Sequence, residues 1–424
     1  MIDKTLYTIR QFIPRPIFNF FNPVYHWILS YVSALVYRFP ARKIKVIGIT
    51  GTKGKSSTIE ILNAILEKAG HKTALSNTIR YKIDKSSHRN LSKMSTPGRF
   101  FLQRFIKQAV DQGCEYVLIE MTSQGALAYR HRFIDLDTFI FTNLTPEHIE
   151  AHGSYENYRN SKLSIARNMV RSCKTLKTII ANTDDKESQL FLDCKADKKI
   201  GFSLNNVQPY NTDQSGIDFT FANTKVHSSL QGQFNLYNIV GAITCAKNEN
   251  VSDSDIITAI QNFSEIPGRL EKIQAKDFTV IVDYAHTIDS LKKVYEIFKN
   301  SPIIGVLGGT GGGRDTWKRS EMGKIADNYC KEIILTNEDP YDESPIKIIS
   351  DVAKGVTNHK AQIILDRRLA IRKALESAVS GDVVIITGKG TDPYIMGPNN
   401  SRQPWSDSQV VKEELEKISN KNTI

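Results

Sequence analysis

The sequence predicts an α/β protein with two successive series of parallel strands and helices. From residue 43 onward, apolar strand-like runs alternate with stretches of helical period, and a second such series follows Pro267 and Gly268. Such alternation is typical of parallel sheets flanked by helices. A glycine-rich turn directly after the first strand, at residues 51–54, places a candidate ligand site where open α/β sheets usually bind ligands. The expected strands lie within residues 44–50, 116–122, 138–144, 175–182, 278–285, 303–309, 332–337, 361–366 and 382–388.

Composition narrows the class of protein but does not identify it. The 424 residues are 40% hydrophobic and 24% charged, as in ordinary globular proteins. A net charge of +11 favours anionic partners, yet no nucleic-acid-binding signature accompanies it, so we expect no nucleic acid partner. Five widely spaced cysteines form no CxxC pair, which indicates a reducing cytoplasm rather than a disulfide framework.

Residues 1–42 form a separate apolar and basic segment that we expect to be helical. The run from residue 16 to residue 37 carries no formal charge when His26 is neutral, but it contains Asn19, Asn22 and Pro23. Pro23 is expected to break the helix. We favour a helix packed on the next domain; the alternative is an interfacial helix resting on an anionic membrane, so that the cytoplasmic protein would be membrane-associated.

The turn "GTKGKSS" after the first strand has the chemistry of a phosphate-binding loop. Gly51 and Gly54 let the backbone curl around an anion, Lys55 supplies a positive charge, and a helix beginning near Ser56 offers free N–H groups. Ser56 is also placed like the hydroxyl that binds Mg²⁺ in such loops. A turn kept only for packing is the alternative. The spacing differs from GxxxxGK[ST], so the kind of nucleotide-handling protein stays open at this point.

A second group of polar residues follows the next strands. Glu120 ends one strand, His148 follows another, and Lys162 falls on the helix after it. A carboxylate is a suitable Mg²⁺ ligand, whereas a histidine is a less usual one. Taken singly, Glu120 could cap a helix, His148 could be a hydrogen-bonded loop residue, and Lys162 could be a solvated helix lysine.

Taken together, the motifs resemble those of the Mur ligases, and within that family the tripeptide synthetases. The resemblance covers residue 43 to the C-terminus and implies a central ATP-binding domain over 43–267 and a C-terminal Rossmann-like domain over 268–424. It is carried by these stretches, in family order: "GITGTKGKSS", "EMTSQGAL", "FTNLTPEHIEAHGSYENYRNSK", "NTDD", "GQFNLYN", "IPGRLE", "DYAHTIDSL", "GGGRDTWKR", "DRRLAI" and "ITGKG".

The resemblance implies an ATP-dependent ligase that joins an amino acid to a peptidoglycan-precursor-like peptide through an acyl phosphate, with ATP and two Mg²⁺ ions. Catalytic roles would fall to Lys55, Glu120, His148 and an N-carboxylated Lys162, and metal ligation to Ser56, Glu120, His148 and Lys162. ATP would contact Gly51, Thr52, Lys53, Gly54, Lys55, Ser56, Ser57, Asn238, Arg269, Asp283 and His286. The small-molecule substrates would contact Ser95, Thr96, Thr122, Arg130, Arg314, Glu338, Asp339, Tyr341, Gly388 and Asp392.

The sequence departs from the family pattern in three places. Only about 42 residues precede the central domain, so we expect the family's UDP-gripping domain to be absent. The family signature DNPR reads "EDPY" and ends at Tyr341, which cannot make the two-pronged carboxylate contact of arginine. GKGHE reads "GKGTD", with Asp392 in place of glutamate. These changes predict an amino acid other than diaminopimelate, or diaminopimelate bound differently.

Two other functions compete with this interpretation. A folylpolyglutamate-synthetase-like ligase would share the fold and the lysine. A nucleotide-binding subunit that is active only with a partner chain would explain a missing substrate domain. Five residues argue against an inactive fold, because a scaffold needs none of them: Lys55, Glu120, His148, Lys162 and Arg314.

Overall fold

The structure is a computed structural model that describes residues 15–147, 149–275, 277–313 and 316–421. The chain divides into two compact units. The first contains the described residues up to 206 together with 237–256, and the second contains 207–236 and the described residues from 257 onward. The described helices are α1 Arg15–Val36, α2 Lys55–Lys68, α3 Arg99–Asp111, α4 Ser123–Leu127, α5 Ile149–His152, α6 Tyr155–Asn168, α7 Ser188–Leu192, α8 Gln233–Asn248, α9 Asp253–Asn262, α10 Ile288–Ile297, α11 Lys318–Tyr329, α12 Pro345–Ala353, α13 Arg367–Ser377 and α14 Asp407–Lys421.

An eight-stranded sheet forms the centre of the first unit. Its strand order is β4-β3-β2-β5-β1-β6-β7-β8, and every neighbouring pair from β2 to β8 is parallel. The central strands are buried along nearly all their residues, as expected of a sheet covered on both faces. The strands are β1 Lys45–Thr50, β2 Thr73–Ser76, β3 Arg80–Ile83, β4 Ser86–Arg89, β5 Tyr116–Glu120, β6 Thr138–Phe141, β7 Thr178–Asn182 and β8 Lys198–Phe202.

The second unit contains a six-stranded sheet of order β12-β13-β17-β14-β15-β16, in which only β12 runs antiparallel. Apolar clusters lie against both faces of this sheet. A three-stranded antiparallel sheet and a small hairpin complete the unit. The strands are β9 Tyr210–Thr212, β10 Ile217–Phe221, β11 Thr224–Ser228, β12 Glu271–Gln274, β13 Thr279–Val282, β14 Ile303–Leu307, β15 Cys330–Leu335, β16 Gln362–Ile363, β17 Val383–Ile386, β18 Tyr394–Met396 and β19 Arg402–Pro404. The expected α/β class with mostly parallel sheets is confirmed.

The expectation that Pro23 breaks the N-terminal helix is wrong. Helix α1 runs from Arg15 to Val36 with Pro23 inside it. Proline removes a single backbone donor, and a helix of 22 residues retains its other hydrogen bonds. No described helix is long and apolar enough to cross a bilayer.

Candidate active site

The expected phosphate-binding turn, residues 51–54, joins β1 to α2 at the carboxyl edge of the first sheet. We call it the phosphate turn. Gly54 adopts φ 83°, and a Cβ atom at this position would collide with Asn238 Oδ1, so the turn requires glycine here. Two hydrogen bonds join the turn to the loop after β6: Thr52 N donates to Asn143 O at 2.8 Å, and Lys53 N donates to Asn143 Oδ1 at 2.9 Å. The order strand, glycine turn and helix therefore forms as the sequence predicts.

Lys55 folds back over this turn instead of extending into solvent. Its Nζ donates to the carbonyl oxygens of Gly51 at 3.1 Å and Thr52 at 2.9 Å, and lies 3.9 Å from Glu120 Oε1. The side chain is 13% exposed. A positive charge held at the mouth of a glycine turn is suited to neutralise phosphate oxygens.

The carboxylate of Glu120 lies at the end of β5, next to the turn. Its Oε2 accepts hydrogen bonds from Ser56 Oγ at 2.7 Å and from the backbone N and Oγ1 of Thr78, both at 2.9 Å. Glu120 is 2% exposed, so these bonds fix its orientation. This network, rather than a role as a helix cap, holds the carboxylate. Thr78 belongs to the site although sequence analysis did not select it.

Lys162 reaches the same turn from helix α6. Its Nζ donates to Gly51 O at 2.7 Å and lies 4.8 Å from the centroid of the Tyr158 ring, with the side chain 2% exposed. Burial, and secondly the charge of Lys55, lower the pKa of Lys162 well below its ordinary value. Tyr158 also bonds Thr52 Oγ1 at 3.0 Å, so this residue, not selected from the sequence, links α6 to the turn.

His148 lies outside the described residues, but its neighbourhood is defined on both sides. Lys53 Nζ donates to Glu147 Oε1 at 3.0 Å. His152 is buried, and its Nε2 lies 3.1 Å from Ser123 Oγ. Burial, and secondly Lys162, lower the pKa of His152. Glu147 and His152, on either side of this residue in the sequence, thus contact Lys53 of the turn and Ser123.

The donor set fits a magnesium ion with few protein ligands. Ser56 Oγ and Glu120 Oε2 are oxygen atoms 2.7 Å apart beside the turn. Across the described part of the chain, no cluster of three or more His, Cys, Asp or Glu residues could hold a metal. Mg²⁺ commonly binds to one or two protein oxygens together with substrate phosphates and water, so a cluster of this kind is not required.

The expected acceptor-binding residues form one connected path that starts at Glu120. Thr78 Oγ1 lies 2.6 Å from Ser95 Oγ, and Thr96 Oγ1 donates to the Glu120 carbonyl at 2.9 Å. Thr122 N donates to Thr96 Oγ1 at 2.9 Å. The guanidinium of Arg130 donates to the Thr96 carbonyl, and burial lowers the pKa of Arg130. The structure therefore brings Ser95, Thr96, Thr122 and Arg130 together beside the phosphate turn.

In the second unit, the expected nucleotide-binding residues gather around Tyr284. The Arg269 guanidinium lies 4.2 Å from the Tyr284 ring centroid, and His286 Nδ1 lies 2.8 Å from the Tyr284 carbonyl. Asp283 accepts hydrogen bonds from the backbone N of Leu270 at 2.7 Å and Ala285 at 2.6 Å. The carboxylate of Asp283 therefore holds backbone groups of its own loop and of the segment that contains Leu270. Asn238 belongs to the first unit and accepts from Thr58 Oγ1 at 3.4 Å.

The expected amino-acid-binding residues surround a buried lysine that sequence analysis did not select. Lys389 has no exposed side-chain surface, and its Nζ lies 2.7 Å from Asp339 Oδ1 and 3.3 Å from Asp392 Oδ2. Glu338 accepts from Thr310 Oγ1 at 2.8 Å, and burial raises its pKa. Gly388, Glu338, Asp339, Asp392 and Lys389 thus form one cluster, which we call the acidic cluster. Arg314 lies outside the described residues, and Tyr341 takes φ 52° beside the cluster.

Comparison with known proteins decides the family. The Mur ligase middle domain matches residues 49–246, and the Mur ligase glutamate ligase domain matches residues 268–390. The chain belongs to the Mur ligase family. It is therefore an ATP-dependent, amide-forming ligase of peptidoglycan-precursor type, as the motifs implied.

Several relatives extend this match over most of the chain. The UDP-N-acetylmuramoyl-L-alanyl-D-glutamate–2,6-diaminopimelate ligase of Clostridium tetani is 32% identical over 92% of this chain and 81% of its own length. The UDP-N-acetylmuramyl-tripeptide synthetase of Roseiflexus is 30% identical over 92% and 82%. A solved diaminopimelate ligase superposes with a TM-score of 0.61 at 26% identity, covering 89% of this chain and 79% of that one. The expected resemblance to tripeptide synthetases is confirmed.

The chain resembles a folylpolyglutamate synthetase in fold but not in sequence. The Mycobacterium tuberculosis folylpolyglutamate synthase covers 86% of this Mur ligase and 92% of its own chain with a TM-score of 0.69, but at 14% identity. Identity at this level indicates a shared architecture, whereas the family domains and the relatives above are those of Mur ligases.

Proposed function

We propose that this Mur ligase adds an amino acid to the terminal carboxylate of a muramyl-peptide acceptor, as the names of its relatives describe for them. The observation that carries the proposal is the meeting of Lys55 and Lys162 at the Gly51 carbonyl, beside the buried carboxylate of Glu120. Positive and negative groups are thus held in fixed positions around the turn that would receive the γ-phosphate of ATP.

The reaction takes place in two steps. A carboxylate oxygen of the acceptor attacks the γ-phosphorus, the bond from that phosphorus to the β,γ-bridging oxygen breaks, and ADP leaves. The amine of the amino acid then attacks the acyl carbon, the bond to phosphate breaks, and the new amide nitrogen loses a proton. Lys55 and the N–H groups of the turn would stabilise charge on the transferring phosphoryl oxygens, while Thr96 and Arg130 would orient the acceptor.

We infer that Ser56 and Glu120 hold a magnesium ion, that His148 serves a second one, and that Lys162 acts in its N-carboxylated form. An Mg²⁺ ion held by Ser56 and Glu120 would act as a Lewis acid that stabilises negative charge on the transferring phosphoryl group. A buried lysine with a lowered pKa supports the assignment of Lys162, because the neutral amine is the form that reacts with CO₂. Carboxylation would replace a cation with an anionic metal ligand.

The remaining roles follow the family motifs. We propose that Asn238, Arg269, Asp283 and His286 contact the nucleotide, and that domain boundaries fall at residues 42/43 and 267/268. The ranges of the two family domains, 49–246 and 268–390, support these boundaries. Five free cysteines support a cytoplasmic location, and the apolar helix α1 supports peripheral membrane contact through residues 16–37.

We further propose that the amino acid is not diaminopimelate bound in the usual way. Asp339 and Asp392 are bonded to Lys389, which weakens their capacity to receive a distant ammonium group. Tyr341 supplies no guanidinium for a second carboxylate. Arg314 would then hold the α-carboxylate, and Glu338, Gly388 and Tyr341 would shape the space for the side chain.

ATP-dependent phosphate release tests this function. The purified chain is assayed with a panel of amino acids, with and without UDP-N-acetylmuramyl-dipeptide. Release that requires both the acceptor and one amino acid supports the proposal. Release that is independent of the acceptor contradicts it, and no release until a second protein is added would favour the partner-dependent subunit.

A further inference from the structure

Helix α1 buries polar and small residues against the protein and leaves most of its apolar residues exposed, although Trp27 and Tyr31 also pack edge-on against Phe133. Ser30, Ser33 and Ala34 have no exposed surface. Ser30 Oγ donates to the Tyr129 carbonyl at 2.9 Å, and Ser33 Oγ donates to the Ser30 carbonyl at 2.8 Å. A surface helix of a globular protein normally buries its apolar stripe and exposes its polar side. The pattern of α1 is the reverse.

The outward side of α1 is an almost uninterrupted apolar surface, which we call the apolar face. Its members recur every three or four residues and are 37 to 59% exposed. A continuous face of this kind marks a binding surface, because scattered exposed apolar residues would not align along one helix. The apolar face consists of Phe21, Val24, Trp27, Ile28, Tyr31, Val32, Leu35 and Val36.

A line of aromatic rings leads from the apolar face to positive charge. Trp27 stacks on Tyr31 with ring centroids 5.7 Å apart, Tyr31 lies 6.1 Å from Phe39, and the Arg42 guanidinium lies 4.3 Å from the Phe39 centroid. Residues 15–43 contain no Asp or Glu. The exposed side chains of Arg38, Arg42 and Lys43, which we call the basic cluster, follow the helix directly, and Arg42 also pairs with Asp135 at 3.2 Å.

We propose that the apolar face and the basic cluster dock this ligase on an anionic lipid bilayer. An apolar face with tryptophan and tyrosine suits the boundary between headgroups and acyl chains. Within residues 15–43 no acidic residue offsets Arg38 and Lys43 of the basic cluster, and their charges complement anionic headgroups. A soluble protein partner would not require this run of positive charge. The helix lies on the membrane along its length, with its polar side turned to the enzyme.

Docking would bring the acceptor-binding residues close to the lipid surface. The inner side of α1 bonds the Tyr129 carbonyl, and Arg99 donates both to His26 Nδ1 at 2.8 Å and to the Ala128 carbonyl. Arg130, which follows Tyr129 in the sequence, lies on the expected acceptor path. This consequence rests on the proposed function: an acceptor carried on a membrane lipid would reach Arg130 without a soluble handle. The docking surface itself does not depend on that function.

Vesicle cosedimentation of the full chain tests the proposal. The probes are phosphatidylcholine vesicles with and without phosphatidylglycerol, at low and high salt. The chain should sediment with the anionic vesicles, and high salt should weaken this binding. The double variant Ile28→Glu/Leu35→Glu should bind at least about tenfold more weakly, because it places two charges in the apolar face. The matched control Leu176→Glu/Ile346→Glu alters two exposed apolar residues elsewhere and should bind as the parent does.

A second pair of variants tests the basic cluster. Arg38→Gln/Lys43→Gln should weaken binding by about 25-fold, about fivefold for each charge. The control Lys198→Gln/Lys199→Gln removes two exposed lysines from β8 and should leave binding unchanged. A thermal melt of each variant serves as the control that it folds.

The outcomes separate docking from the proposed function. Parent protein that stays in the supernatant with both vesicle types overturns the proposal, as does equal weakening by test and control variants. A dimer in light scattering that the Ile28→Glu/Leu35→Glu variant dissociates, without vesicle binding, would assign the apolar face to a second copy and also overturn it. Phosphate release with the soluble acceptor should remain unchanged in the Ile28→Glu/Leu35→Glu variant, whereas Lys55→Ala should lower the rate of release about 10³-fold and leave vesicle binding intact.

Discussion

The phosphate turn and the acidic cluster both consist of charged residues at the carboxyl ends of parallel strands, but their charges are used differently. At the turn, Lys55 Nζ donates to the carbonyl oxygens of Gly51 and Thr52, Lys162 Nζ donates to that of Gly51, and Lys55 Nζ lies 3.9 Å from Glu120 Oε1. In the acidic cluster, Lys389 is fully buried and lies 2.7 Å from Asp339. At the turn, the Lys55 ammonium donates to uncharged carbonyl groups, whereas in the acidic cluster the Lys389 ammonium is paired closely with carboxylates.

We expect this difference to distinguish the proposed catalytic residues of the turn from residues that support a loop. A cation bonded to carbonyl dipoles can be redirected toward phosphate with little loss, since the carbonyl groups carry no net charge. A buried ion pair cannot lose one member without leaving the other uncompensated. Substitutions at the turn should therefore mainly reduce turnover, and substitution of Lys389 in the cluster should mainly reduce stability.

The largest effect is expected for Lys55→Ala. Removing the charge from the phosphate turn should lower the rate of phosphate release by about 10³-fold, while the midpoint of urea unfolding changes little. The matched control is Lys68→Ala, at an exposed position near the end of the same helix, which should retain full activity. Activity close to that of the parent in Lys55→Ala would exclude this residue from the phosphate site.

A slightly smaller loss is expected for Lys162→Ala, about 10²-fold in phosphate release, because the variant would lack the proposed carboxylated side chain. A short carboxylic acid that fills the vacated space should restore part of the activity. Lys55→Ala serves as the control, since a carboxylate cannot replace its positive charge. Full activity of Lys162→Ala without added acid would remove Lys162 from the site.

The reverse behaviour is expected for Lys389→Met. Loss of the buried cation removes its ion pairs with Asp339 and Asp392 and should lower the free energy of unfolding by about 3 kcal/mol. Lys293→Met is the control, because Lys293 forms an exposed pair with Asp289 and should cost less than about 1 kcal/mol. Urea unfolding measures both, and equal values would show that the acidic cluster has no special structural role.

The smallest effect is expected for Tyr341→Arg. A guanidinium at this position can pair with a second carboxylate, so the ratio of kcat/KM for diaminopimelate over other amino acids should rise about tenfold. Tyr341→Phe keeps the ring without adding charge and should leave the ratio unchanged. If Tyr341→Arg has the amino-acid profile of the parent, this loop does not select the substrate.

Local patterns predicted the parts of the site that are contiguous in sequence. The strand, glycine turn and helix over residues 45–68 follow from apolar alternation and from the two glycines, and Glu120 was identifiable as the end of an apolar run. The role of Lys162 could be expected only from the family resemblance. Its helix mixes polar and apolar residues, and no local pattern in the sequence indicates that this lysine is buried.

Residues whose role depends on distant partners could not be selected in this way. Thr78 follows the short strand β2, and its importance arises from Glu120, 42 positions later. In the sequence, Lys389 cannot be distinguished from an exposed loop lysine. Its role depends on its contact with Asp339, which lies 50 positions earlier in the chain. The reversed polarity of α1 was also missed, since an apolar helical period does not reveal which side of the helix meets the protein.

Transfer of oxygen from the acceptor to phosphate tests the central claim most directly. The acceptor is prepared with ¹⁸O in its terminal carboxylate and incubated with ATP, Mg²⁺ and the amino acid that supports turnover. A ligase that acts through an acyl phosphate must deliver one labelled oxygen to each phosphate released, as detected by mass spectrometry. Released phosphate without ¹⁸O, at a yield matching amide formation, would contradict the account.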